Sequence, residues 1–155
     1  MAKRVTIKEG DIFKIIDDKH HRYFQFFYKD LDILASDLVW VFNCEDDTLD
    51  INTIMESGYK FYMFTYIRIG IKLNCFEKIG SFNIPNNMLF SPKFIWKETK
   101  LNNEVENWYL IEREKRTLLG ASLPKEYQTI PYYHPDFPKM AIETMIRGYD
   151  DYIKQ

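Results

Sequence analysis

The chain predicts an α+β fold, mainly β: a curved antiparallel sheet or partial barrel with a short middle helix and a C-terminal helix. Three observations lead there. Apolar and aromatic residues alternate with period two in residues 60–73. There Phe61, Met63, Thr65, Ile67, Ile69, Ile71 and Leu73 fall on one side, and Lys60, Tyr62, Phe64, Tyr66, Arg68, Gly70 and Lys72 on the other. The remaining apolar runs are short and separated by polar turns, as in antiparallel sheets. Helical spacing occurs only in the middle and at the end of the chain.

Residues 60–73 serve as the organising strand, with their aliphatic face on the main core. A straight strand of that length would reach roughly 45 Å at ~3.3 Å per residue, whereas a chain of this size has a radius of gyration of about 15 Å. The strand must bend or break, and Gly70 is the expected place.

Taken in order, Gly10-Asp11-Ile12-Phe13-Lys14-Ile15-Ile16 reads as a turn and a strand with Phe13 and Ile15 on one side. Asp17-Asp18-Lys19-His20-His21-Arg22 is a polar turn, and Tyr23-Phe24-Gln25-Phe26-Phe27-Tyr28 returns as the second arm of a hairpin. Leu38-Val39-Trp40-Val41-Phe42 is a third short strand, followed by an acidic loop over residues 43–47.

Thr48 or Asp50 can cap a helix of about two turns, with Leu49, Ile54 and Met55 available for burial and Gly58 as its stop. After residues 60–73, Phe76-Glu77-Lys78-Ile79-Gly80 continues the β pattern, and residues 83–92 form a loop. Phe94-Ile95-Trp96 and Trp108-Tyr109-Leu110-Ile111 are further strands across a polar connection over residues 98–107. A mixed-charge turn, residues 113–116, precedes Thr117-Leu118-Leu119.

Pro124, Pro131, Pro135 and Pro138 forbid most regular structure between residues 122 and 138, which reads as a wrapping loop. Asp136 is the expected cap of the last helix, with Pro138 in its first turn and Ala141, Met145, Tyr149 and Tyr152 along one face. Gly148 weakens that helix by about 1 kcal/mol relative to alanine and would allow close packing.

The chain of 155 residues is expected to be one domain with a core of its own. Cys44 and Cys75 are its only cysteines, too few for a disulfide framework, which fits a reducing compartment. Polar Thr6, Lys8, Glu9 and Asp11 interrupt any apolar region behind Lys3 and Arg4, and no apolar run approaches the ~20 residues of a membrane helix. A cytoplasmic protein without membrane contact is therefore expected.

Net charge is −2, but it is unevenly spread. Residues 30–59 hold eight carboxylates (Asp30, Asp32, Asp37, Glu45, Asp46, Asp47, Asp50 and Glu56) and no Lys or Arg, and basic segments flank them on either side. An acidic block of this kind can create a local field that the total conceals, unless the carboxylates scatter and pair with lysines.

Chemistry-bearing motifs are sparse. The histidines are His20, His21 and His134, and no H-E-x-x-H, C-x-x-C, G-x-G-x-x-G or phosphate-loop pattern is present. His20 and His21 beside Asp17 and Asp18 could ligate a metal, but adjacent residues in a strand point to opposite faces and seldom share one ion, so an exposed turn is the expected reading. Cys44, beside acids, has its thiolate disfavoured. Accordingly no catalytic residue, metal ligand or cofactor is expected. Tyr62, Phe64, Tyr66, Arg68 and Lys72 resemble in composition a platform for single-stranded nucleic acid. The preferred expectation is that a second layer covers that face, with its basic groups at the rim.

Several stretches together resemble the bacterial immunity protein 26 family, associated with polymorphic toxin systems. They are Gly10-Asp11-Ile12-Phe13, Tyr23-Phe24-Gln25-Phe26, the run LASDLVWVF over residues 34–42, Gly70-Ile71-Lys72-Leu73 with Phe76-Glu77-Lys78-Ile79-Gly80, and, more loosely, Asn107-Trp108-Tyr109. The resemblance covers most of residues 9–111. It implies a cytoplasmic protein that binds and neutralises a cognate toxin, and it assigns no residue to that task.

A toxin-binding immunity protein is thus the leading expectation, with Trp40, Asp46, Asp47 and Asp50 as the candidate partner-binding residues. The acids would speed encounter with a basic toxin and a buried aromatic would carry affinity. A nucleic-acid-binding β domain using Tyr62, Tyr66, Arg68 and Lys72 is the second reading. A small hydrolase or metal-dependent enzyme, resting only on the three histidines, is the third. The oligomeric state is left open.

Overall fold

Alternation in the first half of the chain becomes a six-stranded sheet in the computed structural model, which describes residues 5–31, 35–86 and 92–148. Strands β1 (Asp11–Ile15), β2 (Tyr23–Lys29), β3 (Asp37–Phe42) and β4 (Tyr59–Thr65) form an antiparallel meander. β5 (Phe76–Ser81) joins at the β1 edge, and a short β9 (Pro135–Asp136) lies parallel to β4 at the other. A second, three-stranded antiparallel sheet holds β6 (Lys93–Thr99), β7 (Val105–Glu112) and β8 (Lys115–Gly120) in that order. The class is α+β, mainly β, and the large sheet is curved but not closed.

Period-two patterning gives the large sheet two buried faces. One carries Phe13, Ile15, Phe24, Phe26, Val39, Val41, Phe61 and Met63 and is covered by helices α2 (Ile67–Lys72) and α3 (Pro138–Arg147) through Ile67, Ala141 and Met145. The other presents Phe27, Tyr28, Leu38, Trp40 and Phe64 to Phe94 and Ile111 of the second sheet. Further along that face, Ile12, Tyr23 and Phe42 pack under Ile54 of helix α1 (Ile51–Glu56). Each fully buried Phe stabilises the fold by about 2–3 kcal/mol relative to exposure, so these aromatics are the main reason that three layers hold together.

The organising strand is shorter than expected. Residues 60–73 are two elements: β4 ends at Thr65, and Ile67–Lys72 is helix α2. The break falls at Tyr66 rather than Gly70. Tyr66 supplies no side-chain cap; Asp37 on neighbouring β3 does, its Oδ2 accepting from the Ile67 amide at 2.9 Å. Gly70 lies inside α2 for a different reason. It is buried against the Phe76 ring, which occupies the place a Cβ would take.

Smaller differences have equally local causes. Asp50 caps α1 through the Asn52 amide at 3.1 Å, and Thr48 Oγ1 accepts from the Asp50 amide, so both expected residues take part. Leu49, expected to be buried, precedes the helix and is 65% exposed. Asp136 does not cap α3. Phe137 holds the N-cap position, and Asp136 turns inward to accept from the Thr144 hydroxyl at 2.7 Å. Gly148 ends α3, with φ at +99° and its amide bonded to the Thr144 carbonyl; Tyr149 and Tyr152 lie outside the described residues. The connection between β6 and β7 narrows to residues 100–104.

The proline segment wraps as expected and does more. After a 3-10 turn over Lys125–Tyr127, residues 131–133 bond to Ile95 at the β6 edge, and β9 then bonds to β4. One stretch of chain therefore crosses from the small sheet to the large one.

Candidate functional site

The acidic block does not stay together. Asp30 and Asp37 turn inward: Asp30 is 3% exposed and accepts from the Tyr133 hydroxyl, and Asp37 caps α2. Burial pushes the Asp37 carboxyl above its ordinary value, although the Ile67 amide, Lys29 and Arg68 pull the other way. Asp50 is committed to α1, accepting from both the Asn52 amide and the Thr53 hydroxyl. Asp32 lies outside the described residues. Glu45, Asp46 and Asp47 are exposed beside Asp50 on the β3–α1 loop and take no part in the cap.

These three gain neighbours from far away in sequence. The β1–β2 turn, with exposed Asp17 and Asp18, sits beside the β3–α1 loop. Arg22 pairs with Glu45 at 3.3 Å, and His21 Nδ1 stands 3.8 Å from Asp47. The two loops meet over one buried hydroxyl. Tyr23 is 1% exposed; its Oη donates to the Asp46 carbonyl at 2.7 Å and accepts from the Thr48 amide at 3.0 Å. Burial raises the Tyr23 pKa, so the hydroxyl keeps its proton well into the alkaline range.

The result is an acidic end of the molecule, where Asp17, Asp18, Glu45, Asp46, Asp47 and Asp50 on the two loops outnumber Lys19 and Arg22, with the Lys14–Glu77 pair beside them. Asp17 Oδ2 accepts from the backbone amides of Lys19 and His20 at 3.0 and 2.8 Å, and these bonds hold its carboxyl below the usual range. A cleft of about 330 Å³ opens between the loops, lined among others by Lys14, Ile16, Asp17, His21, Asp47 and Glu77.

Trp40 does not belong to this surface. It is 9% exposed and packs between the sheets against Phe27, Tyr59 and Tyr62, because its strand face is the one that the small sheet covers. Of the four candidate residues, the structure therefore brings Asp46 and Asp47 to one exposed loop, gives Asp50 a capping role beside them and buries Trp40. Asp17, Asp18 and Tyr23 were missed. Their signal was the polar hairpin turn itself, but nothing local shows that it meets residues 45–48.

The aromatic and basic face of residues 60–73 is not one platform. Tyr62 meets Phe94 edge-on and Phe64 meets it at a tilt under the small sheet, with ring centroids 5.1 and 4.7 Å apart, while Arg68 and Lys72 lie on helix α2. Each histidine stands near a different carboxylate: His20 is on Asp17, His21 near Asp47, and His134 is 3.5 Å from Asp136 at β9. Among the described residues, no group of three or more His, Cys, Asp and Glu could hold a metal ion, and no helix is long and apolar enough to cross a membrane. Cys44 and Cys75 are both buried and free.

Compared with known proteins, the chain matches no family model, no curated protein and no solved structure.

Proposed function

We propose that this chain is a cytoplasmic immunity protein that binds and neutralises a cognate bacterial toxin, docking through the acidic end formed by the β1–β2 turn and the β3–α1 loop. The observation that carries this reading is the Tyr23 hydroxyl bridge to Asp46 and Thr48. It ties the β3–α1 loop to the first residue of β2, and the Arg22–Glu45 pair joins that loop to the β1–β2 turn, so little ordering cost is left for binding. A basic partner would be steered by Asp17, Asp18, Glu45, Asp46 and Asp47. Affinity would come from apolar surface that the partner covers around the cleft.

The test is co-expression with the toxin encoded beside this gene. Protection of the cells and a purified complex are expected. Reversing Asp46 and Asp47 to Lys should slow association about tenfold at low salt and much less at high salt. A chain that neither protects nor forms a complex would refute the reading, and an unchanged association rate in the reversed variant would move docking away from the acidic end.

A further inference from the structure

The geometry points to a second binding site: the exposed edge of β6 at Lys97 accepts an extended, acidic peptide segment of a partner protein as an added strand. The edge is opened by the path of the proline segment. Ile95 turns both main-chain groups towards that segment, its amide donating to the Pro131 carbonyl at 2.9 Å and its carbonyl accepting from the Tyr133 amide at 2.8 Å. Lys97, two residues on, must show its amide and carbonyl along the same edge.

The segment does not continue beside it. Pro135 and Asp136 leave to pair with Phe64 and Thr65 of β4, so among the described residues no strand follows β6 past Ile95. The space left is a groove of about 460 Å³ lined by Trp96, Lys97, Thr99, Tyr132, Tyr133 and His134. Consecutive residues of a strand point to opposite faces. Trp96 and Lys97 nevertheless line the same groove, which places it along the strand's edge rather than over either face.

An extended peptide fits such a site better than a compact ligand. Its main chain satisfies the open amide and carbonyl of Lys97, and its side chains alternate between the Trp96 and Tyr132 sides. Charge selects its composition. The Lys97 ammonium lines the groove 5.9 Å from the Tyr132 ring centroid, so a carboxylate on the incoming strand meets a cation there. This site uses none of the residues of the acidic end, and its outcome is independent of the toxin reading.

The experiment selects a phage-displayed library of linear random peptides on the full chain, followed by hydrogen exchange with synthetic copies of the enriched sequences. Enrichment of β-branched sequences containing Asp or Glu is expected. Such a peptide should slow exchange of the Lys97 amide by about tenfold or more and leave the already bonded Ile95 amide unchanged.

Lys97→Pro, compatible with an edge whose amide points outward, should abolish binding, and Lys97→Ala should weaken it only about threefold. N-methylation of the peptide main chain should abolish binding to the unaltered chain, a result that does not depend on the proline variant folding. The proposal is overturned if no sequence is enriched, if methylated and unmethylated peptides bind alike, or if the Lys97 amide is already protected in the free chain.

Discussion

Asp37 shows how a single carboxylate can help and burden the same fold. It satisfies the Ile67 amide at the start of α2 but lies largely out of water, and burial outweighs the pull of that amide, Lys29 and Arg68 on its pKa. A carboxyl raised in the folded state holds its proton better there than in the unfolded chain. Its contribution to stability is therefore complete below the ordinary value of 3.8 and declines as pH rises through the folded value. Asp37→Asn keeps an oxygen acceptor and removes the charge, so at neutral pH it should leave the melting temperature unchanged or raise it. Asp37→Ala strips the cap and should cost about 1 kcal/mol. Equal losses in the two variants, measured by urea unfolding, would show that the charge rather than the acceptor matters.

At the level of elements, the decisive joint is the change from β4 to α2. Sequence alternation continues past Tyr66 without a mark, because a short apolar run reads alike as a strand and as a buried helix. Asp37 belongs to a different strand, and its bond to Ile67 spans thirty residues. Gly70 then lets α2 approach β5. Replacing it with Ala gains about 1 kcal/mol of helix propensity. The added methyl, however, meets the ring of Phe76, which is 2% exposed and held edge-on against Phe24 at 4.9 Å. A ring so confined cannot yield, and overpacking should win by about 2 kcal/mol net. Gly70→Ala is thus expected to lower the urea midpoint; an unchanged or higher midpoint would mean that helix and sheet separate easily.

For the whole molecule, the layered core sets an alkaline limit. Burial pushes Tyr28 and Tyr59 up to about 12 from their ordinary 10.0, Tyr28 beneath the Arg113 guanidinium and Tyr59 donating to buried Gln25. Their protons leave the unfolded chain first, so the stability tied to them is complete below pH 10 and is lost as pH climbs towards 12. Unfolding followed across that window should show a falling midpoint, with a shallower fall in the Tyr28→Phe and Tyr59→Phe variants. Equal slopes in all three proteins would place the alkaline sensitivity elsewhere.

Neighbouring residues sufficed to reveal much of this architecture. The β1–β2 hairpin, β3, strands β6 and β7 of the small sheet, the Asp50 cap and the wrapping prolines were all legible, because alternation, capping and fixed φ angles act within a few positions. Distance along the chain hid the rest. Whether Trp40 met a partner or a second sheet, which carboxylates were drawn inside, where residues 60–73 changed from strand to helix, and that Tyr23 clasps the loop after β3 were all decided by contacts between remote segments. Such contacts exist only once the layers have packed, and no local pattern encodes them.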